Sequence, residues 1–179
     1  MKKRVCVKDK EFELFLSEEE IKRAIGEIAF RIKRDLSGAH PLFVSILNGA
    51  FMFTAELMRH LDAPHDLVFA RYSSYRGMET TGKVIEIMPV TTSIKGRTVI
   101  LLEDIVDTGT TMQYVMEKLR QAGAEDIRLA TLLFKPAALR CNLRPDYVGL
   151  EIPPVFIVGY GLDYNESGRT FKDIYRLVK

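Results

Sequence analysis

Residues 103–111 read EDIVDTGTT, three carboxylates and three threonines around a single glycine. Just upstream, Thr98–Leu102 reads TVILL, an apolar run that suits a buried strand. Asp107–Thr111 lies between that strand and a helical pattern beginning at Thr110. Free backbone N–H groups at a helix start favour an anion. Gly109 lets the chain turn sharply and approach a ligand closely, and Thr108, Thr110 and Thr111 add hydroxyl donors. The segment is a cradle for one phosphate, although it has neither the Walker A spacing nor the dinucleotide-binding glycine pattern. Glu103 and Asp104 need another partner. Ionised carboxylates only accept hydrogen bonds, and beside a phosphate they must face something that donates. Vicinal ribose hydroxyls and hydrated Mg²⁺ both qualify, so the nine residues together point to a sugar phosphate. Asp107 is close enough to act on the same ligand as a base. Taken singly, the same residues read as a strand-end acid pair and a helix N-cap at Asp107.

The elements that must position this segment are visible in the periodicity. Ser17 and Glu20 form a capping-box signature, followed by Ile21, Ile25, Ile28, Ile32 and Leu36 at helical spacing, with Gly38 as a stop. Pro41–Leu47 predicts a buried strand, Asn48-Gly49 a turn, and Ala50–Leu61 a helix. Strands are expected at Asp66–Tyr72, Val84–Val90, Ile127–Phe134 and Val155–Val158, with a helix over Thr110–Ala122 carrying Met112, Val115, Met116 and Leu119 on one face. Apolar strands alternating with helices predict an α/β domain with a mostly parallel sheet. Ligands in such sheets sit beyond the carboxyl ends of the strands, at Asn48-Gly49, Ser73–Lys83, Glu103–Thr111, Lys135 and Gly159–Asp163. Lys135, with three donors and no acceptor, reads by itself as a solvated strand-end lysine. Periodicity alone places Phe156 in the core, and makes Asp163 a loop aspartate and Arg169 a surface arginine.

The chain has 179 residues, 47% hydrophobic, enough for one core. Its formal charge of +2 makes no case for nucleic acid or a membrane surface, and no apolar run reaches the length of a membrane span or a signal peptide. Cys6 and Cys141, without CxxC spacing, argue against a disulfide framework and make the cytoplasm the default. His40, His60 and His65 show no metal-ligand spacing.

VILLEDIVDTGTTM (Val99–Met112) resembles the phosphoribosyl-pyrophosphate motif of type I phosphoribosyltransferases. LNGAFMF, SSY, LLFKP and VGYGLDYNE accompany it in family order and spacing, from about Pro41 to Arg169. The chain is similar to the 6-oxopurine branch of that family. The resemblance implies a single domain over residues 1–179, with a central mostly parallel sheet flanked by helices and a small hood built from terminal segments. It implies purine salvage by Mg²⁺-dependent transfer of the 5-phosphoribosyl group from phosphoribosyl pyrophosphate to N9 of hypoxanthine or guanine. The products would be IMP or GMP plus pyrophosphate, and the enzyme a cytoplasmic homodimer or homotetramer.

Residue by residue, the resemblance puts Glu103 and Asp104 on the ribose hydroxyls and Asp107, Thr108, Gly109, Thr110 and Thr111 on the 5′-phosphate. Leu47, Asn48 and Gly49 form its pyrophosphate loop, where the isomer of the Leu47–Asn48 peptide, cis or trans, stays open, and Arg169 contacts pyrophosphate. Lys135 donates to the purine O6, Phe156 stacks on the ring, the Ile157 backbone meets the base edge, and Asp163 lies beside the base. Asp107 is the catalytic base. Mg²⁺ falls to Asp163, Glu103 and Asp104. Ser74 and Tyr75 belong to a lid over Ser73–Lys83, a stretch that also reads as an ordinary polar loop. Mammalian members carry lysine at the positions of Asn48 and Thr110, so this chain has less positive charge there. Three other readings stand beside this one: a regulator that senses the sugar pyrophosphate on the same fold, a transferase for xanthine or another base, and a purely structural α/β domain, which leaves the spacing of the strand-end elements unexplained.

Overall fold

Helix α1 (Glu18–Asp35) starts as its capping box predicts. Ser17 Oγ accepts the Glu20 N–H at 3.3 Å, and Glu20 Oε2 accepts the Ser17 N–H at 2.9 Å. In this computed structural model, which describes residues 3–74 and 84–178, Ile21, Ile25, Ile28 and Ile32 form one buried stripe of α1. The stripe packs on a six-stranded sheet together with Phe53, Leu57 and Leu61 of helix α2 (Phe51–Leu61).

The remaining elements are strands β1 (Arg4–Val7), β2 (Lys10–Leu16), β3 (Leu42–Leu47), β4 (Asp66–Ser74), β5 (Val84–Met88) and β6 (Thr98–Val106), helix α3 (Thr110–Gln121), and strands β7 (Asp126–Phe134), β8 (Tyr147–Glu151), β9 (Ile157–Val158) and β10 (Ile174–Leu177). The main sheet runs β5-β4-β3-β6-β7-β8, parallel throughout except for the antiparallel edge strand β5. Successive strand residues face opposite sides. Phe43, Ile100, Leu102 and Leu132 therefore meet α1 and α2, while Val44, Val99, Leu101 and Leu129 meet Met112, Val115, Met116 and Leu119 of α3. Both faces are covered, which is why these strands are apolar without alternation.

A second, antiparallel sheet, β1-β2-β10-β9, is built from the two ends of the chain around Val7, Phe12, Val158 and Tyr175. This is the hood. The strand expected over Val155–Val158 shrinks to Ile157–Val158 and pairs with β10 here, outside the main sheet. Strands β1, β2, β8 and β10 escaped the sequence reading. In the hood, β2 is stabilised by partners on both sides, one of them far away in the chain. β6 continues past Leu102 to Val106, so Glu103 and Asp104 lie within the strand and only Asp107 follows it.

Asp173 fastens the hood to α1. Its carboxylate accepts the Glu18 N–H at 3.0 Å, Lys3 Nζ at 2.8 Å and the Tyr175 hydroxyl at 3.2 Å. Burial opposes its ionisation, but these donors outweigh burial and hold the carboxyl below its usual value. Asp173→Ala is expected to cost about 3 kcal/mol of stability, because a helix-start N–H and a buried hydroxyl lose their acceptor. Since the folded value lies below the unfolded one, the contribution is fully present above the ordinary carboxylate pKa of about 4. It fades as pH falls through the lower folded value. Denaturant unfolding of both proteins at pH 7 and at pH 3 checks this: the difference in stability should shrink at the lower pH, and a constant difference would refute the ionic role.

Candidate active site

Parallel register brings distant residues to one edge of the sheet. Val106 of β6 pairs with Phe134 of β7, so Asp107 and Lys135 are the next residues out of adjacent strands. The Lys135 N–H donates to the Val106 carbonyl at 2.9 Å, and Lys135 Nζ lies 2.8 Å from Asp107 Oδ2. The lysine side chain is only 9% exposed, the aspartate 50%. Asp107 is therefore not a helix cap. The N-cap of α3 is Gly109, at φ +79°, and among the described residues no side chain caps that helix. On the other side of β6 the neighbour is β3, and the chain leaving β3 crosses a cis Leu47–Asn48 peptide into Gly49. Gly49 lies so close to Asp104 that a Cβ there would overlap the carboxylate.

Two adjoining cavities share Asp107. One, of about 190 Å³, is lined by Glu103, Val106–Gly109, Thr111 and Met112. The other, of about 340 Å³, is walled by Asn48, Gly49, Asp104, Asp107 and Lys135 on the sheet side, and by Phe156, Ile157, Leu162, Asp163 and Arg169 from the hood. Ile105 completes this wall. The acid pair thus divides between them, Glu103 toward the Thr-rich loop and Asp104 toward Lys135.

Burial, then the neighbouring negative charge of Asp104, pushes the Glu103 carboxyl well up. Burial also raises Asp104, against its hydrogen bond with Glu103, the Ile105 N–H at 2.8 Å and the charge of Arg169. Among the described residues, Glu103 Oε2 is buried without a hydrogen-bond partner. A buried oxygen of this kind fits a hydroxyl donor or a hydrated cation. Among the described residues no three His, Cys, Asp or Glu side chains come together around a metal position. Mg²⁺ does not need such a cage, because it retains waters and takes one or two carboxylates plus substrate phosphates. The acid pair and Asp163 fit that pattern.

Asp163 is already engaged. Its Oδ1 lies 2.9 Å from Arg169 Nη2, and its Oδ2 accepts the Glu166 N–H at 2.7 Å. Arg169 is not a free surface arginine, since Nη1 also donates to the Gly161 carbonyl at 2.8 Å. Phe156 overturns the periodicity reading: it is 47% exposed, with its ring edge-on to Tyr164, and it faces the larger cavity. The Thr110 side chain bonds Thr108 Oγ1 at 2.8 Å and lies outside both cavities, while Thr108 and Thr111 line the smaller one. Of the lid, Ser74 ends β4, while Tyr75 and the rest of the stretch through Lys83 lie outside the described residues. Ile105 and Leu162 were missed as site residues, for an aliphatic side chain in a strand or turn gives no chemical signal. A further cavity of about 260 Å³, at the opposite end of the sheet, is lined mainly by apolar groups with His40 and His65. It gathers no carboxylates.

A family model described as the phosphoribosyl transferase domain matches residues 14–165. The chain is 37% identical over 157 residues to the hypoxanthine-guanine phosphoribosyltransferase of Bacillus subtilis, covering 87% of each chain. Its identity to the Lactococcus lactis protein of the same name is 40% over 157 residues, covering 87% of this chain and 85% of that one. Among solved structures, a hypoxanthine-guanine phosphoribosyltransferase from Bacillus anthracis superposes with a TM-score of 0.85 at 34% identity, covering 92% of this chain and 97% of that one.

Proposed function

The chain belongs to the phosphoribosyltransferase family, and from that membership we propose that it is a purine-salvage enzyme acting on hypoxanthine and guanine. The reaction is Mg²⁺-dependent transfer of the 5-phosphoribosyl group from phosphoribosyl pyrophosphate to N9 of the base, giving IMP or GMP plus pyrophosphate. The observation that supports it best is the Lys135–Asp107 pair, 2.8 Å apart, at the junction of a Thr-rich anion loop and a cavity carrying an exposed aromatic ring.

In this reading the 5′-phosphate occupies the smaller cavity, against the free N–H groups at the start of α3. The ribose hydroxyls donate to Glu103 and Asp104, which satisfies the orphaned Glu103 oxygen. The purine enters the larger cavity against Phe156. Its O6 takes over Lys135 Nζ, which releases the Asp107 carboxylate toward the base. Asp107 then accepts the ring proton as N9 attacks C1 and the bond from C1 to pyrophosphate breaks. Holding both reactants in adjoining cavities supplies alignment. Mg²⁺ beside the Glu103–Asp104 pair, and a second Mg²⁺ beside Asp163, would supply charge neutralisation for the leaving pyrophosphate. Arg169, fixed by Asp163 and Gly161, lies on the pyrophosphate side.

The test offers phosphoribosyl pyrophosphate and Mg²⁺ with hypoxanthine, guanine, xanthine, adenine or uracil in separate reactions. Hypoxanthine or guanine should be consumed, with adenine poorer by about 10²-fold or more, because its amino group leaves Lys135 without an acceptor. Preference for adenine or uracil would overturn the assigned base. Binding of the sugar pyrophosphate without turnover of any base would instead support a sensor on the same fold.

A further inference from the structure

The Thr-rich loop is braced from behind by the segment that follows β7. Past Lys135, a 3-10 turn over Pro136–Ala138 leads into Leu139–Leu143, which lies against the Gly109 turn. The Arg140 N–H donates to the Thr108 carbonyl at 3.0 Å, and Cys141 Sγ approaches the same oxygen at 3.6 Å. A Cβ placed on Gly109 would stand 2.7 Å from Cys141 Sγ, 3.0 Å from Leu139 Cδ2 and 3.3 Å from Leu143 Cδ2. Leu139 and Leu143 also pack on the core beneath α3, so this wall is anchored.

Geometry gives the contact a consequence. In a trans peptide the C=O and N–H point in opposite directions. Holding the Thr108 carbonyl on the strap turns the Gly109 N–H away from the strap, toward the cavity lined by Glu103, Asp107, Thr108 and Thr111. Glycine tolerates either orientation of that peptide, so the hydrogen bonds from the strap decide it. In the flipped orientation a carbonyl oxygen would face the anion. The segment leading into the strap starts at Lys135, whose N–H and Nζ hold Val106 and Asp107, so the three residues before Gly109 are all held by this one stretch of chain.

We propose that the Leu139–Leu143 strap is the positioning element of the 5′-phosphate loop, and that it acts by selecting the orientation of the Thr108–Gly109 peptide. The proposal rests on the phosphoribosyl-transfer reading above and adds to it residues that touch no substrate.

Arg140→Pro tests it, read against Arg140→Ala. Proline removes the N–H that holds Thr108, whereas alanine removes only the exposed side chain. Leu139, at φ −58° and ψ 138°, already has the backbone that a following proline requires. The Michaelis constant for phosphoribosyl pyrophosphate should rise about tenfold in the proline variant relative to the alanine variant. The kcat at saturation and the constant for hypoxanthine should agree between the two within about twofold. Equal sugar-pyrophosphate constants, or parallel loss in all three parameters, would overturn the proposal. If the proline variant does not fold, Cys141→Met, which thickens the wall against Gly109, takes its place. A selective rise in the sugar-pyrophosphate constant supports the proposal, and an unchanged constant overturns it. If the unsubstituted protein turns over no base, the transfer reading fails by itself. The strap is then judged by titration with ribose 5-phosphate, where equal affinity of the proline and alanine variants overturns it.

Discussion

Asp107→Asn should lower kcat by about 10²–10⁴-fold, the range that a positioned general base contributes. Asparagine keeps the shape of the side chain but cannot take the ring proton. The structure makes this a demanding site. Lys135 Nζ rests 2.8 Å from the Asp107 carboxylate, and the lysine side chain is only 9% exposed. Removing the negative charge leaves that ammonium with a weaker partner, so the empty site loses electrostatic order as well as its base. The Michaelis constant for phosphoribosyl pyrophosphate should change far less, because under the proposed roles the phosphate is held mainly by backbone N–H groups and threonine hydroxyls beyond Asp107. Steady-state kinetics with each substrate varied in turn checks this. A kcat within about threefold of the parent would remove Asp107 from the chemistry and leave it as a mere partner of Lys135.

Gly49→Ala should be nearly as damaging, for a steric reason. The added methyl overlaps the Asp104 carboxylate, which is buried and fixed by the Ile105 N–H at 2.8 Å. Either the loop after β3 or the acid pair has to move. Under the proposed roles, both contact the same substrate, so kcat/KM for phosphoribosyl pyrophosphate should fall by about 10²-fold, the usual effect of misplacement by about 1 Å. Overpacking at a loop-to-strand contact should cost only about 1–3 kcal/mol of stability, so circular dichroism and a melting curve should still report a folded protein. Near-normal kinetics in that variant would mean that the loop and Asp104 move independently.

Much of the fold was readable because the signals were local. The Ser17–Glu20 capping box, the isoleucine stripe of α1 and the aliphatic runs of β3, β6 and β7 lie within contiguous residues, and each formed close to its expected bounds apart from the C-terminal extension of β6 to Val106. The hood was not readable from periodicity. β2 (KEFELFL) lacks a clean alternation and becomes a strand by pairing with β10 from the far end of the chain; only the family resemblance suggested a cap of terminal segments. Phe156 shows the same limit. Its apolar neighbours assign it to the core, yet the two-residue strand β9 leaves its ring exposed above the larger cavity.

The site divides along the same line. Glu103 through Thr111 read as a sugar-phosphate site from residue type and spacing alone, since a strand, a sharp turn and a helix start place all nine within one local unit. What those residues touch was decided by tertiary structure. The register of β6 against β7 puts Lys135 on Asp107, the turn after β3 presses Gly49 on Asp104, and the hood brings Asp163 and Arg169 to the opposite wall. Local spacing determines which chemistry a segment can perform. The partners that orient it come from other parts of the chain, through strand register and loop packing that no run of neighbouring residues encodes.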